Sequence, residues 1–475
     1  MDTALPTTTP AAAHGHKRLL HPVVVMLWVL GMALALTWWL DAGHFQREGK
    51  LVVPGTYQVV AKPESLGQLL AVHLPGKEDN AAVAQPASLL TVVHAVPQGL
   101  AKQAELIVMV MFVGGMFGVM RRTGVVDAGL DRLLAVTGGN VRVLVPVLML
   151  VLGLGSTFMG FISEYLVLIP VMVLLAERLG LPPLFGLAVV AVAAKIGYVA
   201  SVTNPFALAV AQPMAGVPLF SGMGLRIALF VIFMAVGILY VLRLARQVRG
   251  APPERAQDAA ARLSWRHSAI LLVLLGACVA LVVGVKNAHW GNLDLAAFYL
   301  LLGALIAALG ALAPRDACDA FVDGMKSMML AALLIGLASS VEIILHGSQV
   351  MDTLVHLATS AVSQHAPVWV AQGLMGVQMF LDVFIPSVSG KAQVTMPIIA
   401  PIAQLSGVSG QTAVLAFLLG GGLTNMITPT SGMLLAYLAA ARVGYGQWLR
   451  FVLPLFLILL VMSGLALAFA VTTGY

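Results

Sequence analysis

The sequence predicts an all-α polytopic membrane protein made of two inverted repeats, each with one re-entrant hairpin and one broken helix. Three observations predict it. Of 475 residues, 60% are hydrophobic and 10% charged, and the mean hydropathy is +0.96; a soluble domain carries about 25% charge. Polar, backbone-breaking residues interrupt the apolar stretches in two matching places. The first runs from Gly160-Phe-Ile-Ser-Glu164 through Ile169-Pro170 to Ser201-Val-Thr-Asn-Pro205. The second runs from Ser387-Val-Ser-Gly-Lys391 through Met396-Pro397 to Thr424-Asn-Met-Ile-Thr-Pro-Thr-Ser-Gly432. Basic residues, finally, gather in short segments between apolar stretches, where they set orientation.

The same numbers exclude other classes. The net charge of +6 comes from Arg and Lys clustered in short loops, so it is no nucleic-acid footprint. Cys278 and Cys318 fall in a helix and a short loop, with no metal-ligand spacing. The eleven histidines are scattered and form no HExxH. No metal and no cofactor are expected.

Taken in order, residues 1–21 form a cytoplasmic tail whose Lys17 and Arg18 hold the N-terminus inside. Residues 22–40 are a retained first span, longer than the roughly 7–15 residues of a signal-peptide core. Residues 41–103 form an extracytoplasmic loop in which Val52–Val60 alternates like two strands about a turn. Repeat 1 covers 104–245. Residues 104–120 come in, 124–136 lie on the inner surface, and 141–178 carry Arg142 and Arg178 at opposite ends. That last stretch therefore reads as a hairpin from the inside, turning within Gly153–Gly160. Residues 184–212 go out, broken near Ser201–Pro205, and 223–245 return. A basic cytoplasmic loop, 246–266, precedes two linking helices within 267–325. Repeat 2 covers 326–475 with the opposite sense. Residues 326–345 go out, 349–363 lie on the outer surface, and 367–406 form a hairpin from the outside. Residues 411–440 come in, broken near Thr424–Gly432, and 449–471 go out. Thr123-Gly-Val-Val-Asp127 echoes Gly347-Ser-Gln-Val-Met-Asp352, and Pro170 and Gly180 match Pro397 and Gly407.

A charge at membrane depth is costly and marks a functional position by default. Glu164, Lys195, Asp382 and Lys391 are such charges; Glu342 lies nearer a helix end. Glu164 and Lys391 hold equivalent positions, 227 residues apart, so they are expected to face one another or one substrate, or to form a structural ion pair. Lys195, roughly two turns before the break at Ser201, either approaches an anion or snorkels outward. Asp382 either pairs with Lys391 or binds a cation. At the two breaks, Ser201, Thr203, Asn204, Thr424, Asn425, Thr428, Thr430 and Ser431 supply hydroxyls and amides beside exposed helix ends. The N–H ends suit a carboxylate and the C=O ends a cation. Pro205 and Pro429 remove a backbone donor and hold the breaks open. Paired breaks in corresponding positions of two halves are the sequence mark of a carrier's binding site. Ser389 and Lys391 are also candidates, either for the substrate or as a Ser/Lys hydrolase dyad, though no Gly-x-Ser-x-Gly elbow accompanies them.

At these residues the chain resembles the YfcC-like branch of the anaerobic C4-dicarboxylate carrier (DcuC) family, within the ion transporter superfamily. The residues are Ile196-Gly-Tyr-Val-Ala-Ser-Val-Thr-Asn-Pro-Phe-Ala207, Gly422-Leu-Thr-Asn-Met-Ile-Thr-Pro-Thr-Ser-Gly432, Ala441-Arg-Val-Gly-Tyr-Gly-Gln-Trp448, Val53-Pro-Gly-Thr-Tyr57 and Gly114-Gly-Met-Phe-Gly118. The resemblance implies a non-enzymatic, multi-pass secondary transporter in the bacterial inner membrane, with a scaffold and a mobile domain working by alternating access. It implies a small carboxylate-bearing metabolite, C4-dicarboxylate in class, coupled to an Na+ or H+ gradient or to exchange, with a basic or neutral amino-acid exchanger as the alternative. A homodimer in the lipid bilayer, without nucleic acid, is the implied assembly. Lys391 stands where the family pattern has a neutral residue, Gly421 where it has an acidic one, and Glu164 is a single acid where a pair is usual. These departures shift the expectation toward an anion.

Overall fold

The computed structural model describes residues 22–48, 51–53, 55–63, 65–70, 83–137, 140–248, 264–288, 290–360, 365–385 and 387–475. The tail 1–21 and residues 249–263 of the basic central loop lie outside these. The described chain is almost wholly helical. After α1 (Pro22–Trp39) come four short strands, β1 (Ala42–His44), β2 (Arg47–Glu48), β3 (Leu51–Val52) and β4 (Gln58–Val60). Strands form within Val52–Val60, but not as each other's partners. β4 pairs with β1, Val60 opposite Ala42, while β3 pairs with β2, Val52 opposite Arg47. The cause lies in a distant carboxylate. Asp352 accepts hydrogen bonds from the Phe45 amide at 3.0 Å and the Arg47 guanidinium at 2.7 Å, pinning 45–47 between the two ladders.

The segment preceding the first long span is itself helical. Ser88 caps α2 (Leu89–Lys102) by accepting from the Thr91 amide. Its buried residues, Thr91, Ala95 and Gly99, recur every four positions and make one small-residue stripe. There follow α3 (Ala104–Arg122), α4 (Val125–Thr137), α5 (Val141–Met159), α6 (Leu168–Arg178), α7 (Pro183–Ala200), α8 (Pro205–Met214) and α9 (Met223–Val248). α10 (Trp265–Asn287) links to the second series. That series is α11 (Asn292–Leu309), α12 (Pro314–Ser327), α13 (Met329–Gly347), α14 (Met351–Ser360), α15 (Pro367–Asp382), α16 (Val388–Leu405), α17 (Gly410–Thr424), α18 (Gly432–Ala441) and α19 (Tyr445–Thr473).

The contacts repeat with the elements. α2 packs on α13 and α12 on α3; α1 packs on α13 and α11 on α3. α5 and α6 flank α7 as α15 and α16 flank α17, and α7 and α17 touch each other at the centre. The crossings are close because the facing residues are small. A Cβ on Gly99 would meet the Gly336 carbonyl and Ser340, and one on Gly118 the Ala320 carbonyl; such stripes let membrane helices approach backbone to backbone. Every residue of α17, and all of α7 beyond Pro183, is buried. A helix apolar on all sides belongs in the core. Seven described helices, among them α3, α7, α9, α13 and α19, are long and apolar enough to cross a bilayer.

The first hairpin turns later than its glycines suggest. α5 runs through Gly153 and Gly155 and ends at Gly160, which takes a left-handed φ of 75°. Gly153 and Gly155 do not break the helix; they make room for Met234 and the Tyr165 hydroxyl. A short 3-10 turn, Ser163–Val167, leads into α6. The second hairpin turns between Asp382 and Val388.

Candidate functional site

The two breaks are built alike and used differently. At the first, Ser201 ends α7 in a left-handed conformation with φ 40°, and its hydroxyl donates to the Tyr198 carbonyl. Asn204 caps α8, accepting from the Phe206 amide at 3.0 Å and donating to Ser201 at 3.2 Å. The hairpin supplies the rest. Thr157 accepts from the Val202 amide at 3.0 Å, its carbonyl accepts from the Thr203 amide at 3.1 Å, and Thr203 donates to Phe158. Arg226, from α9, donates to the Val202 carbonyl at 3.2 Å. This break is satisfied from within, and Ser201, Thr203 and Asn204 do not line the cavity at the second break. Arg226 escaped notice in the sequence, although a lone arginine in an apolar run was a readable signal.

The second break opens onto a cavity of about 360 Å³. Asn425, Thr430, Ser431 and Gly432 line it, with Glu164 from the first hairpin tip and Lys195 and Tyr198 from α7. Ser387 and Val388 enter from the second hairpin, and Ile335, Ser339 and Glu342 from α13. The first residues of α16 and of α18 therefore both face this space, bringing two helix N-termini and their free N–H groups to one place. Lys195 is 1% exposed; it turns inward and donates to Asn425 Oδ1 at 3.2 Å. The same Oδ1 accepts from Ser431 at 2.7 Å. Two buried hydroxyls on the lining, Tyr198 and Ser339, have no hydrogen-bond partner among the described residues. Buried polar groups are normally paired, so these hydroxyls are available to a ligand or water in the cavity. Neither stood out in the sequence, and neither did Ser387, which caps α16.

The remaining charges divide. Glu164 accepts from the Ile162 amide at 3.0 Å, and Tyr437 donates to the Ile162 carbonyl, tying the first tip to α18. Glu342 pairs with Lys102 at 3.0 Å. Glu164 and Lys391 are not brought together. Lys391 Nζ lies 2.5 Å from Asp382 Oδ1, and Asn425 donates to the other Asp382 oxygen at 3.0 Å. A carboxylate nine residues away in the same hairpin wins over one in the opposite hairpin, and Lys391 does not line the cavity at the second break. Thr424 donates to the Gly420 carbonyl, and Thr428 and Thr430 bond each other at 2.7 Å; these hydroxyls hold the break's shape. The Ser389 side chain lies outside the described residues. No group of three or more His, Cys, Asp or Glu side chains that could hold a metal occurs among the described residues.

Residues 19–472 match the family described as the C4-dicarboxylate anaerobic carrier. A relative from Escherichia coli K12, YfcC, named provisionally as a basic amino acid antiporter, is 30% identical over 394 residues, covering 78% of each chain. An uncharacterised protein of Haemophilus influenzae is 26% identical, covering 89% of this chain and 82% of its own. Among solved structures, the Alcanivorax borkumensis YdaH transporter is 19% identical with a TM-score of 0.43, over 96% of this chain and 99% of that one. Neisseria gonorrhoeae MtrF is 17% identical with a TM-score of 0.41, over 95% of each.

Proposed function

The chain belongs to the C4-dicarboxylate anaerobic carrier family, and from that premise we propose a secondary active transporter of small carboxylates, C4-dicarboxylates in class, working across the bacterial inner membrane with its N-terminus in the cytoplasm. The membership makes it a multi-pass membrane transporter; the C4-dicarboxylate class follows the family's description, and the cavity supports an anion. One observation carries the reading: two helix N-termini, the Lys195 ammonium and two unpartnered hydroxyls converge on a single space. Oriented N–H groups and a cation favour an anion. A volume of about 360 Å³ sits at the small end of ligand pockets, which span about 300–1,000 Å³. Asn425 couples the ligand site to the rest of the network, since its Oδ1 steadies Lys195 and its Nδ2 holds Asp382. Transport follows if the cavity, now bounded by α13 on one side and the hairpin tips on the other, opens to each face of the membrane in turn. An H+ or Na+ gradient, or exchange, drives it.

Glu164 supports a second reading. A carboxylate in the same cavity as Lys195 can take the ammonium end of an amino acid, which would make the protein an amino-acid exchanger. The two readings separate in the purified protein. Succinate is expected to raise the thermal midpoint saturably in the wild type and in Glu164→Gln, and not in Lys195→Gln. Stabilisation by arginine alone, lost in Glu164→Gln, would replace the dicarboxylate reading with the exchanger.

A further inference from the structure

The pair formed by Lys391 and Asp382 sits in surroundings opposite in character to the cavity. Lys391 is 1% exposed and Asp382 0%. Asp382 is the last residue of α15, and Gly421 lies in the last turn of α17. A Cβ built on Gly421 would collide with Lys391 Nζ, so the ammonium lies against that last turn. Two helix C-termini, each the negative end of its helix dipole, thus meet at one point with a carboxylate. The Phe417 ring centroid, 5.3 Å from Nζ, adds a further face that favours a cation. Yet the lysine bearing the ammonium is rooted in the first turn of α16, the end of a helix that disfavours positive charge. Its side chain reaches away from that end to the C-termini of two other helices. The void beside it is about 10 Å³, no more than the roughly 10–15 Å³ one water needs.

We infer that Asp382 and the C-terminal ends of α15 and α17 form a monovalent-cation site that the Lys391 ammonium permanently fills. The site is built for a cation, and the chain supplies its own. It follows that no coupling cation binds at Asp382 during transport, and that the absence of a side chain at Gly421 is what admits the lysine. Lys195 and Tyr198, on α7, and Asn425, on the second break, are the other polar or charged groups near Asp382 among the described residues, and Asn425 stands between the two lysines. Removing the ammonium leaves Asp382 with its Asn425 contact and a space open to small cations.

The test uses the full-length protein in detergent, at constant ionic strength, with choline as the inert cation. The wild-type thermal midpoint is expected to be the same in sodium, potassium, methylammonium and choline chlorides. Lys391→Ala is expected to be less stable in choline and to regain several degrees, saturably, in methylammonium or sodium. Asp382→Asn added to Lys391→Ala should abolish that response. If Lys391→Ala does not accumulate, Lys391→Ser, which likewise vacates the space beside Asp382, carries the same expectation. Equal midpoints for the Lys391 variants in all four salts would overturn the inference, as would a saturable sodium response in the wild type that Asp382→Asn removes. Stability is read without substrate, so failure here is distinct from failure of the carboxylate reading.

Discussion

Lys195 and Lys391 are both shielded from solvent, and Asn425 joins them through Asp382, yet they stand in opposite fields. Lys391 is matched by its own carboxylate at 2.5 Å. Lys195 makes its hydrogen bond to the neutral Asn425 Oδ1 at 3.2 Å, interacts with Asp382 only through space, and faces a cavity. With Asp382 already held by Lys391, the Lys195 ammonium is open to a ligand carboxylate. Hydrogen bonds to charged groups contribute about 1.5–3 kcal/mol, so Lys195→Gln is expected to weaken carboxylate affinity by about 10- to 150-fold while the protein still inserts and folds. Titration of ligand-induced stabilisation measures this directly; an unchanged affinity would remove Lys195 from the binding site. Gly421 tests the other lysine. The Gly421→Ala methyl must displace the Lys391 ammonium, and overpacking of this kind costs about 1–3 kcal/mol. The variant is expected to be measurably less stable than an alanine placed at Gly224, where no atom lies within 4 Å of the added Cβ.

At the scale of elements, the two breaks share a plan and differ in what completes them. The first is stapled by Thr157 and Arg226, whereas the second presents Asn425 and Ser431 to the cavity. Thr157→Val leaves the buried Val202 amide without its acceptor, a loss of about 1–3 kcal/mol. Stability should fall while affinity for substrate stays within about twofold of the wild type, as read by paired melting and ligand titrations. Much of this plan was legible in the sequence. Pro205 and Pro429 beside Ser, Thr and Asn marked the breaks, because those residues cannot continue an apolar helix. The cap residues Ser201, Asn204, Asn425 and Ser431 could be named but not sorted, since which end of a break faces a ligand depends on packing from other helices. α2 was hidden by His94 and Pro97 and by burial of only one narrow stripe. The turn of the first hairpin falls at the far end of the expected stretch, at Gly160, because Gly153 and Gly155 look like breakers only when read alone. In the fold they accommodate neighbouring side chains. Tyr198 and Ser339 could not be singled out as site residues: a lone hydroxyl on an apolar helix becomes informative only once its surroundings are seen.

Over the whole molecule the mirrored packing is incomplete in one telling place. α18 packs closely on α13, while their counterparts α8 and α3 have no comparable packing among the described residues. Exchange of such asymmetry between halves is how an inverted pair changes the side to which its site opens. This packing can be fixed chemically. A Cβ on Gly432 would lie 3.7 Å from the Ile335 Cβ, close to the mean of about 3.8 Å across a disulfide. In a background lacking Cys278 and Cys318, the pair Gly432→Cys and Ile335→Cys is expected to form a disulfide that stops transport, with activity restored by reductant. Full transport in the crosslinked protein would mean that α18 and α13 do not part.

The proposed function requires this cavity to carry a small dianion against its gradient. Uptake of labelled succinate into proteoliposomes holding the purified protein, under an imposed proton or sodium gradient, tests it most directly. The account predicts saturable accumulation above the external concentration in the wild type. It predicts a fall of at least about tenfold at low substrate in Lys195→Gln, because the carboxylate then has no ammonium to bind. Equilibration without accumulation, or no succinate entry alongside arginine exchange from preloaded vesicles, would contradict it.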